Sequence, residues 1–382
     1  MSLASAPPLG VYVHWPYCAR ICPYCDFNVV RDRGRLSEQA ALTDALVDDL
    51  SAQASLMGPR RLVSIFFGGG TPSLMAPESV GRVLETARRL WPAFDDVEVT
   101  LEANPTDAET RRFSDLADSG INRLSLGLQS LDDDALRLLG RNHDAATGRS
   151  AAAQAGRVFA RVSVDLIYAL PGQTTADWGA ALRQAVDLGV EHISPYQLTI
   201  EPGTAFHRAV SRGALSPPAP DLAADLFETT QTVLGGAGFD AYEISNHARS
   251  PAARAAHNLV CWRGQDYLGI GPGAHGRQTL HDGRYATSGP RAITDYVATV
   301  ARHGHGATRV KMSPREVALE RLFMGLRTWE GVAVEDVAPL AITAERLTDL
   351  ANLIVVSRGR LVVTDRGRLL LDRIIAMLAN GA

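Results

Sequence analysis

Short apolar runs, rich in β-branched residues, alternate over the first 200 residues with longer stretches in which apolar positions recur at helical spacing. This alternation predicts an α/β protein with a parallel sheet and right-handed crossovers. The predicted strands are Val11–Trp15, Ser64–Phe67, Val97–Leu101, Arg123–Leu128, Val162–Tyr168 and His192–Leu198. The clearest helical stretches are Glu38–Met57, Pro77–Leu90 and Thr106–Ser119. Six units are fewer than the eight of a complete barrel, so we expect a partial TIM-like (β/α)6 barrel.

The pattern changes after about residue 240. Phe239–Ile244 could form one more strand, glycine-rich loops follow, and the polar stretch Arg302–Thr308 predicts a linker. In the last 70 residues or so, helical patterns precede a hairpin around Ser357–Arg360 and a final helix at Arg366–Leu378. This order is typical of a winged-helix-like α+β domain. We therefore expect a barrel over residues 1–240, a barrel extension and linker over 241–308, and a C-terminal domain over 309–382.

Composition narrows the class of protein. Of the 382 residues 46% are hydrophobic and 21% charged, which is ordinary globular composition. The formal net charge is 38 − 42 = −4, and basic residues are not concentrated into a recognition helix. Winged helices often bind DNA, but this charge distribution favours a domain that covers the barrel, so no nucleic-acid partner is expected. Lys311 is the single lysine, which excludes Schiff-base lysine chemistry elsewhere.

The first ten residues lack the basic and apolar regions of a secretory signal. No apolar run is long enough to span a bilayer. We expect a cytoplasmic protein without a transmembrane segment. The sequence leaves open whether it forms a homodimer and whether it contacts membranes peripherally.

Three of the four cysteines lie within eight residues, as Cys18-x-x-x-Cys22-x-x-Cys25, directly after the first predicted strand. Clustered cytosolic thiols predict metal or redox chemistry, and thiolates suit iron–sulfur clusters, zinc or copper(I). Three thiolates can hold three corners of a [4Fe–4S] cluster and leave the fourth iron open. A structural zinc site needs four protein ligands. No second cysteine pair lies nearby, and the position of His14 on a predicted strand makes it a poor fourth ligand. A cluster is therefore favoured over zinc.

The segment VYVHWPYCARICPYCDF, residues 11–27, resembles the start of radical S-adenosylmethionine (SAM) enzymes. More narrowly it resembles the branch that contains oxygen-independent coproporphyrinogen III oxidase and the heme chaperone HemW. The resemblance covers nearly the whole chain, through GGGTPS, LEANP, LGLQS, LGRNH, DLIYALPGQ, HISPYQLTIEPGT, YEISNHA and YLGIGPGAHG. It implies a partial barrel with a winged-helix-like domain, a [4Fe–4S] cluster on Cys18, Cys22 and Cys25, and SAM on the open iron.

The resemblance also implies a set of SAM contacts, most of them at predicted strand ends. An acid, an amide, a guanidinium and a second acid suit the ammonium, ribose hydroxyls and carboxylate of SAM. Individually each could instead be a barrel salt bridge or cap, and barrel packing is as good an account of Tyr12. The implied contacts are Tyr12, Tyr24, Gly69, Gly70, Thr71, Glu102, Gln129, Arg141 and Asp165.

Gly271-Pro-Gly273-Ala-His-Gly276 fits the pattern G-x-G-x-x-G of dinucleotide-binding proteins. A true fingerprint opens a helix within a βαβ unit, whereas a turn signal follows here. NAD binding is therefore rejected, although His275 could still line the pocket.

Two departures point away from the oxidase. The oxidase has a further cysteine two positions after the third ligand, where this chain has Phe27, and only about ten residues precede the first predicted strand. The chaperone branch has a heme-associated motif His-Asn-x-x-Tyr-Trp, which reads His257-Asn258-Leu259-Val260-Cys261-Trp262 here. Histidine and cysteine are both axial heme ligands. His257 is therefore the first candidate for a heme ligand and Cys261 the second. The alternative for His257 is a structural histidine held by hydrogen bonds.

The sequence thus favours a heme chaperone that binds heme and passes it to apo-hemoproteins, on a scaffold that carries a [4Fe–4S] cluster and SAM. The alternative is a radical enzyme that decarboxylates coproporphyrinogen or opens a heme ring. A third interpretation is a zinc-stapled barrel that binds nucleic acid through its winged helix.

Overall fold

The computed structural model describes residues 6–91 and 97–379. The strands in chain order are β1 (Pro8–Trp15), β2 (Tyr17–Cys18), β3 (Val30–Arg31), β4 (Arg61–Gly69), β5 (Glu98–Ala103), β6 (Arg123–Gln129), β7 (Arg161–Tyr168), β8 (His192–Gln197), β9 (Asp240–Glu243), β10 (Asn246–Ala248), β11 (Asp266–Ile270), β12 (His275–Leu280), β13 (Gly283–Ser288), β14 (Thr308–Lys311), β15 (Val332–Ala333), β16 (Ile354–Ser357) and β17 (Arg360–Val363).

The α-helices are α1 (Leu36–Met57), α2 (Pro77–Leu90), α3 (Asp107–Thr110), α4 (Phe113–Asp118), α5 (Asp133–Leu138), α6 (Ala145–Val158), α7 (Thr175–Asp187), α8 (Ala205–Ser211), α9 (Pro220–Gly236), α10 (Ala256–Trp262), α11 (Ile293–His303), α12 (Pro314–Leu326), α13 (Ala344–Asp349), α14 (Asp365–Arg368) and α15 (Leu371–Ala379). Short 3-10 helices lie at Pro72–Leu74, Pro251–Ala253 and Glu335–Leu340.

One 12-stranded sheet organises residues 8–311, in the order β14-β13-β12-β11-β1-β4-β5-β6-β7-β8-β10-β9. The seven strands from β11 to β8 pair in parallel, and the strands beyond them pair antiparallel. The central strands read as nearly continuous apolar runs because helices cover the sheet, as in β4, where Ile65 and Phe67 are fully buried. The edge strands β14 and β9 do not pair with each other in the described part of the chain, so the sheet is open.

All six strands predicted from the apolar runs are confirmed as the parallel strands β1 and β4 to β8. The α/β fold class is likewise confirmed. The predicted helix Thr106–Ser119 is instead two short helices, α3 and α4, separated by residues 111–112. Phe239–Ile244 does contain a strand, β9, although it is antiparallel.

The region after residue 240 contributes more to the sheet than its glycine-rich pattern indicates. β11 adds a seventh parallel strand beside β1, and β12 to β14 continue the sheet as an antiparallel meander. The predicted linker Arg302–Thr308 contains the end of α11, with Gly304 in a left-handed conformation as its cap, and leads into β14. The sheet therefore runs on to Lys311. The division of the chain into three domains stays a prediction.

A buried ion-pair network ties together the amino-terminal ends of β5, β6 and β7. Arg123 Nη1 lies 3.1 Å from Glu98 Oε2, and Arg161 Nη1 lies 3.2 Å from the same oxygen. The backbone amide of Ala256, at the start of α10, donates to Glu98 Oε1 over 2.7 Å. The side chain of Arg123 also donates to the carbonyl of Ala253 over 3.0 Å. These contacts hold α10 against the amino-terminal ends of the parallel strands, opposite the motif loops.

The last 70 residues pack around their own apolar core. Leu322 and Leu326 of α12, Ile374 of α15 and Leu361 of β17 are buried together. The sheet here has three strands in the order β15-β17-β16, with β16 and β17 forming the predicted hairpin. Among the described residues, no helix combines the length and apolarity needed to cross a membrane.

We predict that Arg123→Met lowers the free energy of unfolding by about 3 kcal/mol, because removing one partner leaves buried Glu98 under-compensated. Chemical denaturation measures this. Arg137→Met is the matched control, since its partner Asp134 is on the surface and the pair is more than two-thirds exposed. The control is expected to stay within about 0.5 kcal/mol of wild type. Equal effects of the two substitutions would contradict the role given to the network.

Candidate cofactor site

A cavity of about 980 Å³ opens where the parallel strands end. The residues that line it come from the cysteine loop (residues 18–28), the ends of the strands β4 to β8, the helix α9, the turn between β9 and β10, and a segment of the C-terminal domain. Its volume is at the upper end of the range for small-molecule sites. The carboxyl ends of parallel strands are where α/β proteins place ligands, so this cavity is the first candidate for a functional site.

The three clustered cysteines all line this cavity as free thiols. Cys18 is buried at the end of β2, while Cys22 and Cys25 are half-buried in a turn closed by the hydrogen bond from the amide of Cys25 to the carbonyl of Cys22, 3.2 Å. Burial raises the pKa of Cys18 to about 11, and it raises the pKa of Cys25 as well. A metal such as iron favours the thiolate, so its binding would stabilise the deprotonated form of these cysteines.

The donor set fits a cluster better than a single ion. Soft thiolates grouped on one loop are the ligands that iron–sulfur clusters prefer. Within residues 6–91 and 97–379, no three His, Cys, Asp or Glu side chains converge closely enough to hold one metal ion. The ligands of a cluster bind different irons and therefore stand farther apart than the ligands of one ion.

The cysteine loop is anchored to two other parts of the chain. Asn28 Nδ2 donates to the carbonyls of Pro272 and Arg291, each over 2.9 Å. Nε2 of His14, on β1, lies 2.8 Å from the carbonyl of Asn28. A Cβ at Gly273 would lie 2.7 Å from the Asn28 amide, so the glycine-rich GPG segment supports the loop. No helix follows that segment, which agrees with its rejection as a dinucleotide fingerprint.

A polar network joins the cysteine loop to the strand ends. Arg141 Nη1 lies 3.3 Å from Cys22 Sγ, and Nη2 donates to the carbonyl of Gly127 over 2.9 Å and also to Asn104 Oδ1. Asn104 Nδ2 donates to Thr71 Oγ1 over 3.1 Å. The buried carboxylate of Glu109 accepts from the amide of Asn104 over 2.7 Å and orients that residue.

Two carboxyl groups face the same cavity without a cationic partner in direct contact. Glu102 Oε2 accepts from the amide of Gly69 over 3.2 Å, and Asp165 Oδ2 accepts from Ser125 Oγ over 3.1 Å. Burial, with a smaller contribution from Asp165, raises the pKa of Glu102 to about 8. Burial raises the pKa of Asp165 to about 6. Such a pair attracts a cationic ligand, which would relieve the burial penalty of the charged carboxylates.

Comparison with known proteins connects this geometry to a family. The family model described as "Radical SAM superfamily" matches residues 12–185. A radical S-adenosyl methionine domain-containing protein 1 (mitochondrial) from Bos taurus is 44% identical over 329 residues, covering 85% of this chain and 74% of the relative. The heme chaperone HemW from Escherichia coli (strain K12) is 40% identical, covering 74% and 73%. HemW from Mycobacterium tuberculosis (strain ATCC 25618 / H37Rv) is 36% identical, covering 97% and 95%.

The chain belongs to the radical SAM superfamily. A solved structure of the coproporphyrinogen III oxidase HemN from Escherichia coli superposes with a TM-score of 0.81 at 23% identity, covering 98% of this chain and 91% of that one. At that identity the match shows the fold alone. Together these findings support the branch that contains HemN and HemW. The family implies a [4Fe–4S] cluster and SAM.

Most of the SAM contacts expected from the radical SAM resemblance line one cavity in this structure. These are Tyr24, Gly69, Gly70, Thr71, Glu102, Gln129, Arg141 and Asp165. The individual roles of these residues toward SAM stay predictions.

Gln129 ends β6 at a bulge with a φ of 63°, a left-handed conformation that is uncommon for a residue with a side chain.

Tyr12 does not line this radical SAM cavity. Its hydroxyl is 3.0 Å from His14 Nδ1, and its ring packs beside Phe66 and His257 inside the barrel. Burial, and then the nearby Glu102 carboxylate, raise the pKa of Tyr12 above its usual range. This packing agrees with the structural alternative for Tyr12, a side chain packed against its neighbours, rather than with a SAM contact. His275 is exposed and is not among the lining residues either.

The two heme candidates lie away from the radical SAM cavity. His257 is only 6% exposed, its Nδ1 is 3.1 Å from Ser64 Oγ, and its ring stacks on Phe66 at 5.1 Å. Burial lowers the pKa of His257 to about 4 and raises that of Cys261 to about 12. Gly10, early in β1, is beside the histidine and eight residues before Cys18, where the cysteine loop begins. Heme ligation by either residue stays a prediction.

Sequence reasoning missed several residues of this radical SAM site. Asn104 links Thr71 to Arg141, and it was visible in the quoted motif LEANP. Ser125 holds Asp165 but carries no signal beyond its place on a predicted strand. The cavity-lining side chains of Leu369, Leu370 and Arg373 come from a distant part of the chain and could not be assigned from local sequence.

We predict that Glu102→Gln flattens the pH dependence of the thermal midpoint between pH 5 and 8. An acid with a raised native pKa binds more protons folded than unfolded over this range, so its contribution to stability falls as pH rises from about 4.5 to about 8. Protein free of cluster and SAM should therefore show a smaller loss of midpoint in the variant than in wild type. Glu85→Gln, at an exposed position on α2, is the control and should follow wild type. Identical slopes for Glu102→Gln and wild type would argue against a strongly buried Glu102 carboxyl.

Proposed function

We propose that this protein is a heme chaperone, which binds heme and transfers it to apo-hemoproteins in the cytoplasm. The proposed scaffold carries a [4Fe–4S] cluster on Cys18, Cys22 and Cys25, with SAM beside it. The observation that carries the proposal is the match, over 97% of this chain and 95% of the relative, to a protein named heme chaperone HemW at 36% identity. The cofactor set is supported by two carboxyl groups with raised pKa values, Glu102 and Asp165, and by the three thiols that line the same cavity.

In this proposal the chain's own residues hold SAM in the cavity mouth. The Gly69–Thr71 segment offers backbone close to the cysteines, and Glu102 and Asp165 offer acceptors for the ammonium and ribose hydroxyls of SAM. Arg141, held by Asn104 and by the carbonyl of Gly127, keeps a cation beside Cys22 and toward the SAM carboxylate. When bound, the cluster supplies an open iron that coordinates SAM and can pass it one electron.

Phe27 separates this proposal from a porphyrin-decarboxylating enzyme. It stands where the resembling oxidase has a further cysteine, and its ring is 62% exposed at the cavity. The alternative function, a radical enzyme that acts on a porphyrin, is kept because eight of the nine candidate SAM contacts line the cavity. The identity of the reaction product distinguishes the two.

We expect the triple variant Cys18→Ala, Cys22→Ala, Cys25→Ala to lose nearly all iron and acid-labile sulfide after anaerobic reconstitution. The reason is that these three thiols are the cysteines that line the cavity. Cys261→Ala is the matched control, because that thiol lies elsewhere and should leave the iron and sulfide content unchanged. Equal cluster content in the triple variant and wild type would exclude the proposed ligands.

For reconstituted wild type we expect heme binding, followed by transfer of that heme to an apo-hemoprotein whose activity is restored. Anaerobic incubation of coproporphyrinogen III with SAM and a reductant should give no catalytic formation of protoporphyrinogen. Absorption spectra of the repurified acceptor and chromatography of the porphyrins measure the two outcomes. Turnover of coproporphyrinogen would favour the enzyme alternative, whereas protein that binds no heme would refute the chaperone proposal.

A further inference from the structure

The cavity extends from the SAM site to the C-terminal domain. Leu369, Leu370 and Arg373, here called the C-terminal wall, lie between and within α14 and α15 and line its outer part. Leu369 and Leu370 are 41% and 42% exposed although the domain's own core is close by. Two adjacent leucines left open at the mouth of a cavity indicate a surface that is covered when a ligand is present.

A second apolar surface lines the same cavity. Ile21 and Phe27, both on the cysteine loop, line it with 47% and 62% of their surface exposed. Two exposed apolar surfaces in one cavity suit an apolar ligand, and an aromatic ring such as that of Phe27 favours stacking on a conjugated one. Neither surface belongs to the predicted SAM contacts.

Charged side chains frame this apolar mouth. Arg20 and Arg373 are exposed, line the cavity, and have no ion pair or hydrogen bond among the described residues. The other two arginines of the mouth are engaged, since Arg327 pairs with Glu243 at 2.9 Å and Arg368 stacks on Trp329 at 3.5 Å. The acids at the mouth are Asp26, Glu201 and Asp372. Two free guanidinium groups beside an apolar slot match a ligand that carries carboxylates at its edge.

We propose that heme docks in this mouth, with its macrocycle between the C-terminal wall and the Ile21–Phe27 side of the cysteine loop and its propionates toward Arg20 and Arg373. The inference rests on the proposed heme-chaperone function and names the place of its cargo. It differs from ligation by His257, which is buried against Ser64 and Phe66 beneath the barrel.

The proposed site contacts the two faces of the heme macrocycle and the propionates at its edge. Among the described lining residues there is no histidine or methionine, and the only thiols are those of the three clustered cysteines. Once a cluster occupies those thiols, the lining offers no imidazole, thioether or free thiolate to the heme iron. Attachment without an axial imidazole suits a cargo that must be released, because transfer breaks no iron–imidazole bond.

The test is an anaerobic titration of hemin and of metal-free protoporphyrin IX into reconstituted protein, followed by Soret absorption and by porphyrin fluorescence. Arg373→Glu and the double variant Leu369→Asp, Leu370→Asp should each bind both ligands about tenfold more weakly or worse. Arg366→Glu and Val356→Asp are the matched controls, since both positions are exposed on the same domain and do not line the cavity. Both controls should bind within about twofold of wild type, a difference below about 0.5 kcal/mol.

His257→Gln, which keeps a hydrogen-bonding group for Ser64, should bind hemin as wild type does. Metal-free protoporphyrin IX should bind wild type nearly as tightly as hemin, because the site does not depend on the iron. Wild-type affinity in both C-terminal-wall variants, or loss of hemin binding in His257→Gln alone, would overturn the mouth as the heme site while leaving the chaperone function intact. A wild-type protein that binds neither ligand would refute the chaperone function, and with it this site.

Discussion

The contact between two loops positions the rest of the site. The chain that leaves β1 and the glycine segment that ends β4 are joined by backbone hydrogen bonds from Gly70 to the carbonyl of Trp15 and from Thr71 to the carbonyl of Tyr17, each 2.8 Å. Gly69 has a φ of 110°, and a Cβ there would lie 2.5 Å from the His14 ring. Only glycine meets both conditions without strain. The cysteines are thereby fixed against the ends of the parallel strands, where the carboxyl and guanidinium groups converge.

The parallel part of the sheet has two polar layers that differ in how their charges are compensated. At the amino-terminal end Glu98 has two arginine partners and a backbone amide, so its charge is satisfied within the protein. At the other end Glu102 and Asp165 have only uncharged donors in contact, a backbone amide and serine hydroxyls. The first layer anchors α10, whereas the second leaves two carboxyl groups available to the cationic ligand proposed above. Glu98 and Glu102 are both glutamates of β5, so their different surroundings follow from their positions along the strand and not from their residue type.

Sequence reasoning succeeded where the signal is local. Apolar runs identified β1 and β4 to β8 because strands that are buried on both faces have few polar positions. It did not find the meander β12 to β14, because short edge strands broken by glycine resemble loops. Nor could it find the burial of His257, since the partner Ser64 is 193 residues away and the same motif would be consistent with an exposed ligand. The cavity lining from residues 369–373 was hidden for the same reason.

The uncompensated carboxyl groups also bear on how the proposed site would bind a cationic ligand. A buried acid with a pKa of about 8 is largely protonated at neutral pH, so Glu102 avoids the cost of a buried charge by holding a proton. A cationic ligand lowers that pKa and displaces the proton, which makes binding and proton release a single linked event. Asp165, with a pKa of about 6, is mostly ionised at the same pH and already attracts the ligand. In the function proposed above, Asp165 therefore provides a charge before the ligand binds, and Glu102 provides a charge that appears when the cationic ligand binds.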